Sequence, residues 1–274
     1  MRLKGIDISE HQGTVNWALV REAEFVMIRA GYGQGTTDRE FRRNAEGCTM
    51  RGIPFGVYWF SYARTADMAR REAEYCLELI RPYRLRLPVA FDWEYDSRAH
   101  ARSNGVEPTR ELVTAMCHSF CKTVRAAGHT PMNYTNVDYL QQFFDESTFE
   151  YPLWLAQWGE ERTWAHPKAD IWLWQYGLTR TAGFPSPVDG NIAYRDFNKE
   201  DPVTYEEFKE YMERYETELA ELPPGDWSEA ERAWAEQTGL IRGDEQGRRR
   251  WRSHMTREEY AVTQYRQAES RDSL

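Results

Sequence analysis

The sequence predicts an α/β protein whose first two thirds form a TIM-like β/α barrel that becomes irregular towards its end. Three observations favour this fold: eight short apolar runs with strand character, helical patterns between the early runs, and acidic or aromatic residues where many runs end. The strand-like runs cover 3–9, 25–31, 55–61, 88–94, 131–136, 153–158, 171–176 and 188–194. The last three runs leave no room for full helices between them, so the regular alternation stops there.

Helical stretches are predicted near 16–22, 38–51, 65–82, 109–127 and 137–144. The clearest is 109–127, which begins at Thr109 and ends before Gly128. Its apolar side chains recur with the helical period, at Leu112, Val113, Met116, Phe120 and Val124. A helix of this kind buries one face against a sheet, as the barrel requires.

The charge of the chain excludes one class of partner. The net charge is −9, whereas binding to nucleic acid requires a basic face. Residues 198–222 carry 9 acidic and 3 basic side chains, so most of the acidic excess lies in one segment. We therefore expect this acidic excess to belong to a solvated connector helix, and not to an acidic substrate groove.

Neither a cofactor nor a metal site is expected. The four cysteines are scattered, and Cys117, His118 and Cys121 lack the second ligand pair of a metal site. The N-terminus shows no signal-peptide pattern, and no run of about 20 apolar residues predicts a membrane span. We expect synthesis in the cytoplasm and release by another route if the target lies outside the cell.

The segment 88–94 carries the strongest chemical signal. An apolar run ends in Asp92-Trp93-Glu94, and strand alternation puts the two carboxylates on one face, roughly 7 Å apart along the backbone. Paired carboxylates are the usual groups of glycoside hydrolysis. A strand whose last residues are charged and exposed to solvent would have the same three residues. The motif alone therefore leaves both a catalytic pair and a solvated strand end open.

The barrel prediction gives these residues a common place, since sites of β/α barrels lie at the C-terminal ends of the strands. Acidic, amide and aromatic side chains fall at or near those ends: Asp7, Ser9, Tyr32, Tyr62, Asp92, Glu94, Tyr134, Trp158, Gln175, Tyr176 and Asp189. Flat amphipathic rings suit the faces of sugars, although most rings in a protein serve packing. Tyr32, Tyr62, Tyr134 and Trp158, with Gln175, are the predicted sugar contacts.

Beyond the predicted barrel (1–197), the sequence predicts a connector (198–225) and a small helix–loop–helix module (226–274). Apolar residues in 203–222 follow a heptad spacing, at Tyr205, Phe208, Met212, Tyr215, Leu219 and Leu222. This seam predicts either self-association of the chain or packing of the helix on the barrel. Pro223-Pro224-Gly225 then breaks the helix.

Taken together, the motifs of 1–197 resemble the glycoside hydrolase family 25 lysozymes, which are often phage endolysins. The matching pieces are Gly5-Ile6-Asp7-Ile8-Ser9, Gln12-Gly13, the run from Phe25 to Gly33, Gly56-Val57-Tyr58-Trp59-Phe60-Ser61, Asp92-Trp93-Glu94, Tyr134-Thr135-Asn136, Pro152-Leu153-Trp154-Leu155-Ala156, Leu173-Trp174-Gln175-Tyr176 and Val188-Asp189. Each piece is weak, and their order along the chain makes the likeness specific.

The resemblance implies a (β/α)5β3 barrel that cleaves the β-1,4 bond between N-acetylmuramic acid and N-acetylglucosamine in bacterial peptidoglycan. It implies Glu94 as the general acid/base, and Asp7, Asp92 and Asp189 as the other acids of the cleft. One departure is Gly190, where the family usually has an aliphatic residue before Asn. Asp196 is therefore a second, weaker candidate for the role of Asp189.

Glu94 would need a raised pKa to stay protonated as the acid. The nucleophile stays open among the acetamide of the substrate, a protein carboxylate and water, and retention of configuration is our hypothesis. Two rival functions also remain. A chitinase-like enzyme would carry a further Asp where this chain has Ala90, and a non-catalytic wall-binding protein would keep the barrel without turnover.

The C-terminal module resembles a single S-layer-homology motif. The likeness lies in Trp227-Ser228 to Trp234-Ala235, in 239–244 and in Thr256-Arg257-Glu258-Glu259 with Tyr265-Arg266. Such modules usually come as three copies that bind a cell-wall polymer. With one copy, either the heptad helix assembles three chains or the module does not bind the wall alone.

Overall fold

The computed structural model describes residues 2–197, 205–244 and 247–272, and the chain divides into two compact units, Met1–Lys199 and Glu200–Leu274. Strands and helices alternate through most of the first unit, as the sequence predicts. The strands are β1 (Leu3–Ile8), β2 (Phe25–Tyr32), β3 (Thr36–Thr37), β4 (Phe55–Phe60), β5 (Val89–Asp92), β6 (Pro131–Asn136), β7 (Leu153–Ala156), β8 (Ile171–Thr179) and β9 (Val188–Ala193). The helices are α1 (Phe41–Arg51), α2 (Ala66–Ile80), α3 (Tyr95–Ser103), α4 (Arg110–Ala126) and α5 (Val137–Phe143).

Eight of these strands close into a barrel, which confirms the predicted fold class. The order is β1-β9-β8-β7-β6-β5-β4-β2, and a β1–β2 pairing closes the ring, with the two-residue β3 beside β2. Within the barrel, neighbouring strands run parallel except at β9, which is antiparallel to both β8 and β1. The short β3 is antiparallel to β2. The irregularity therefore lies in the last strands, where connecting helices are missing.

Alternation along the strands separates two apolar layers. On β5, Val89 and Phe91 pack outward against the helices, while Ala90 packs in the smaller cluster inside the barrel with Met27 and Leu173. Asp92 follows Ala90 by two residues and thus faces the interior. The interior positions near the C-terminal ends of the strands carry polar side chains, and the apolar interior lies below them.

Some element predictions are wrong. Residues 16–22 form turns and not a helix, because Trp17 and Val20 are buried as anchors of a loop and not as one helical face. The sequence analysis missed α3, whose residues are mostly polar, and the very short β3. Strand β5 ends at Asp92, two residues before the predicted end, and β7 ends before Trp158.

The second unit contains α6 (Tyr205–Glu221), a short 3-10 turn (Asp226–Ser228), α7 (Glu229–Gln237) and α8 (Arg257–Asp272). The connector was predicted to begin at 198, and 198–204 lie outside the described residues. Most of the heptad side chains are exposed, including Tyr205, Phe208 and Tyr215. Among the helices of the described ranges, none is long and apolar enough to cross a membrane.

Candidate active site

A cleft of about 940 Å³ opens at the C-terminal ends of the barrel strands. It is lined by side chains from β1, β2, β4, β5, β6, β7, β8 and β9 or from the loops that follow them. Seven of the lining residues are acidic, namely Asp7, Glu10, Asp92, Glu94, Asp96, Asp138 and Asp189, against Arg29 and His11 as the basic ones. The acids predicted at the strand ends, Asp7, Asp92, Glu94 and Asp189, thus lie together in one cleft, as the barrel rule implies.

The first pair of acids, Asp92 and Glu94, lies at the end of β5. Glu94 is the N-cap of α3, and its φ of −131° is still extended, so the alternation of the strand continues through it. Trp93 between them points outward and packs its ring 5.2 Å from that of Phe143. The Glu94 backbone N–H donates to Ser97 Oγ at 3.1 Å, which fixes the start of the helix.

Both carboxyls of this pair favour the protonated form. Burial, followed by the charge of Glu94, raises the pKa of Asp92 well above its usual range. Burial raises the pKa of Glu94 to about 7, against a hydrogen bond from Asp92 that lowers it. Asp92 is 2% exposed, and no group in the described chain hydrogen-bonds to its Oδ1. Asp92 is thus protonated near neutral pH and donates to Glu94, whose own proton is lost only around pH 7.

The second pair, Asp7 and Asp189, lies on adjacent antiparallel strands. Asp7 on β1 stands directly opposite Asp189 on β9, a register in which side chains are neighbours. Burial and then the charge of Asp189 raise the pKa of Asp7, and burial raises that of Asp189. These two acids also interact with the first pair. The charge of Asp189 raises the pKa of Glu94, and the charge of Glu94 raises the pKa of Asp7.

Two amides hold the carboxylate of Asp7. Gln175 Nε2 donates to Asp7 Oδ2 at 2.9 Å, and Asn191 Nδ2 donates to the same oxygen at 2.7 Å. Trp154 Nε1 donates to Asn191 Oδ1 at 2.8 Å, which fixes the orientation of that amide. Both donors lower the pKa of Asp7 against the effect of burial. Sequence reasoning missed this role of Asn191, which lies 184 residues from its partner.

Arg29 is a cation that lines the cleft together with these acids, and sequence reasoning missed it as well. It is 8% exposed, pairs with Asp38 at 2.8 Å and with Glu10 at 3.1 Å, and lies over the ring of Tyr32. Its charge lowers the pKa of Asp92, although burial prevails. An arginine at an interior strand position was the available sequence signal, since an unpaired buried charge would be costly.

The predicted sugar contacts differ in their accessibility. Trp158 is 62% exposed, and Tyr32 and Tyr62 are half-buried with their rings 6.3 Å apart, edge to face. Tyr134 is buried and its hydroxyl donates to Gln175 Oε1, which also accepts from Trp158 Nε1. All five line the cleft, but the Gln175 amide is occupied by protein groups. Its contact with a sugar stays a prediction.

The departure at Gly190 has a structural counterpart. A Cβ at Gly190 would lie 2.3 Å from the Tyr176 ring, so a larger residue there requires that ring to move. Asp189 lines the cleft, whereas Asp196 is not among the described residues that do so. Among all residues that the structure describes, no group of three His, Cys, Asp or Glu side chains is arranged to hold a metal ion. All four cysteines are buried and form no disulfide.

A closed barrel with a ring of interacting carboxyls in an open, aromatic-sided cleft defines a glycosidase-type site. Comparison with known sequences agrees: the glycosyl hydrolases family 25 matches residues 6–182. The chain therefore belongs to this family.

Individual relatives are more distant. The chain is 26% identical over 209 residues to Lysozyme M1 of Streptomyces globisporus, covering 69% of this chain and 67% of the relative. The solved structure of the modular autolysin LytC of Streptococcus pneumoniae aligns with a TM-score of 0.64 and 28% identity over 70% of this chain. The chain spans about half of LytC, 47% of its length. The CTP1L endolysin aligns over 98% of this chain and 99% of its own at a TM-score of 0.57 and 17% identity, a likeness of fold.

Proposed function

We propose that this protein is an N-acetylmuramidase, which hydrolyses the β-1,4 bond between N-acetylmuramic acid and N-acetylglucosamine in peptidoglycan. The observation that carries the proposal is the buried Asp92–Glu94 pair, whose pKa values are raised in a cleft of about 940 Å³. Membership of the family supports the substrate class. Peptidoglycan is accordingly the proposed partner.

Glu94 is the proposed general acid. With a pKa of about 7 it holds a proton at neutral pH and gives it to the leaving glycosidic oxygen as the bond breaks. After this transfer Asp92 supports the new carboxylate through their hydrogen bond. The same Glu94 then accepts a proton from the incoming water, so that the enzyme returns to its starting state.

The second acid pair is proposed to act on the sugar ring. An N-acetyl group next to the reacting carbon can itself be the nucleophile, and a positive oxazolinium would then form beside Asp7 and Asp189. Asp7 is suited to this because two fixed amides keep its Oδ2 an acceptor. This path predicts retention of configuration. NMR of the first-formed products tests it, and the opposite anomer would refute retention without refuting the muramidase activity.

The bond that is cut is tested by digestion of purified peptidoglycan, reduction of the products with borohydride and mass spectrometry. Muramitol at the reducing ends is the expected result. Glucosaminitol would instead indicate the chitinase-like alternative, which Ala90 at an interior position two residues before Asp92 disfavours. Binding without any new reducing ends would indicate the non-catalytic alternative.

The second unit is proposed to bring the enzyme to the wall. Trp227, Trp234 and Trp251 with Arg232 and Arg252 line a cleft of about 490 Å³ there, a surface suited to a saccharide. The exposed heptad side chains of α6 support self-association through 203–222. We further propose an endolysin made in the cytoplasm and released on lysis. Sedimentation of the whole protein, and pull-down on purified walls, test assembly and binding separately.

A further inference from the structure

Glu72 on α2 is a fully buried acid that lies outside the proposed catalytic groups. Its side chain is 0% exposed, and burial raises its pKa to about 7, against the hydrogen bonds it accepts. A buried carboxylate is costly to keep unless its oxygens are well satisfied. A helix that packs on a barrel does not need a carboxyl on its apolar face. The role of Glu72 is therefore inferred from the groups that hydrogen-bond to it.

These partners come from two loops at the C-terminal ends of β2 and β4. Glu72 Oε1 accepts from the backbone N–H of Tyr62 at 3.0 Å and from Gln34 Nε2 at 3.1 Å. Glu72 Oε2 is 2.5 Å from Ser61 Oγ. One carboxylate thus joins the turn after β2 to the first residues after β4.

The backbone at Ser61 and Tyr62, to which Glu72 is hydrogen-bonded, connects to the catalytic strand β5 and to the lining of the cleft. The Ser61 backbone N–H donates to the backbone oxygen of Asp92 at 2.8 Å, and Ser61 Oγ accepts from the Ala63 N–H at 3.2 Å. The next residue, Tyr62, lines the cleft and meets the rings of Tyr32 and His100 at 6.3 and 4.7 Å. The position of the Tyr62 ring therefore depends on a backbone whose N–H is fixed by Glu72.

We infer that Glu72 is a positioning residue for substrate binding, which fixes the Ser61–Tyr62 backbone and through it the aromatic side of the cleft formed by Tyr32 and Tyr62. The inference rests on the proposed function, because it assigns Tyr62 a sugar contact. Glu72 touches no substrate, and its effect on the chemistry at Glu94 is indirect. Its loss acts on the binding of the glycan before it acts on bond cleavage.

The test compares Glu72→Met, which keeps the volume and removes both acceptors, with Glu72→Gln, which keeps one acceptor for the Tyr62 N–H. Steady-state kinetics on a soluble peptidoglycan oligosaccharide should show a threefold to tenfold higher KM for Glu72→Met, with kcat within a factor of two. Glu72→Gln should recover most of the wild-type KM. Cys76→Ala, one turn further along α2 and equally buried, is the control for loss of packing and should leave KM unchanged.

A double-mutant cycle identifies the path of the effect. In a Tyr62→Ala background, Glu72→Met should raise KM no further. If the two changes multiply, Glu72 does not act through Tyr62 and the inference is wrong. An unchanged KM in Glu72→Met would overturn it as well. If Glu72→Met does not fold, Ser61→Ala removes the hydrogen bond from Ser61 Oγ to the Glu72 carboxylate and should also raise KM. An unchanged KM in Ser61→Ala would then contradict the inference.

Binding gives a readout that does not need turnover. In a Glu94→Gln background, the dissociation constant of the same oligosaccharide should rise threefold to tenfold on adding Glu72→Met, and an equal constant refutes the inference. A wild-type enzyme that binds the oligosaccharide without cleaving it would refute the proposed function and leave this binding test valid. The two failures are thus distinguishable.

Discussion

The two acid pairs of the cleft differ in what surrounds their oxygens. Asp7 Oδ2 receives two N–H donors from Gln175 and Asn191, whereas no group in the described chain donates to Asp92 Oδ1. Fixed donors favour a carboxylate, and their absence in a buried site favours a carboxylic acid. Burial raises the pKa of all four acids, and two fixed amides oppose this rise at Asp7, whereas no donor to Oδ1 opposes it at Asp92. Asp92 and Glu94 therefore form the proton-holding side of the rim, and Asp7 lies on the amide-held side.

The largest expected effect on the amide-held side comes from Asp7→Asn. It replaces the carboxyl, which can ionise, by an amide whose oxygen still accepts from Gln175 and Asn191, so the fold should be retained. We expect kcat to fall on the order of 10³-fold, since electrostatic stabilisation at the reacting centre is lost. Turnover of purified peptidoglycan measures this. A fall of less than tenfold would mean that Asp7 does not stabilise the transition state.

Gln175→Met tests the donors of that side. The change keeps the length of the side chain and removes one hydrogen bond to the Asp7 carboxyl, which is worth about 1.5–3 kcal/mol when that carboxyl is ionised. We expect kcat to fall about tenfold to 100-fold with little change in KM. Gln141→Met, at an exposed position of α5, is the matched control. A selective rise of KM would instead favour the predicted sugar contact of Gln175.

The proton-holding side predicts a particular dependence of stability on pH. Glu94 has a pKa of about 7 when folded, above its value in the unfolded chain, so the folded state binds more protons between those values. Its contribution is present at and below about pH 4 and is lost as pH rises through 7. For one such carboxyl the loss is on the order of 3 kcal/mol.

This dependence is measured by denaturant unfolding of the wild type and of Glu94→Gln between pH 4 and 8. The wild type should lose stability relative to the variant as pH rises. A difference between the two proteins that stays constant, or that changes in the opposite direction, would contradict the raised pKa.

The smallest effect is expected at the outer edge of the cleft. Trp158 is mostly exposed, and contact with a sugar is the role predicted for its ring. Trp158→Ala should raise KM about threefold to tenfold, as expected for an aromatic contact of about 0.5–1.5 kcal/mol. The kcat should stay unchanged. An unchanged KM would assign the ring to its hydrogen bond with Gln175 alone.

Periodicity explains why the barrel could be predicted. The strand runs around 25–31 and 55–61 are continuously apolar or alternate, and the structure contains β2 and β4 there. Buried residues of a loop can also be spaced like the apolar face of a helix. Trp17 packs so closely on α1 that a Cβ at Gly47 would meet its ring at 2.4 Å, and this burial made 16–22 resemble a helix.

The acids at strand ends were also predictable, because the barrel rule places such residues at one rim. The residues that hydrogen-bond to these acids, or that fix the loops around them, could not be predicted. Asn191 and Gln175 bond to Asp7 across 184 and 168 residues of sequence, and Glu72 joins two loops from the side of a helix. Hydrogen bonds of this range follow from three-dimensional closure of the barrel, which no local pattern reports.

The most direct measurement compares the wild type with Glu94→Gln on purified peptidoglycan, following turbidity and new reducing ends in parallel with binding to the same material. The exchange removes one proton-donating carboxyl and keeps its size, and general acid catalysis contributes about 10²–10⁴-fold. We predict a loss of turnover in this range with wall binding intact and folding stability equal or higher. Turnover of the variant at the wild-type rate would contradict the assignment of Glu94 as the acid.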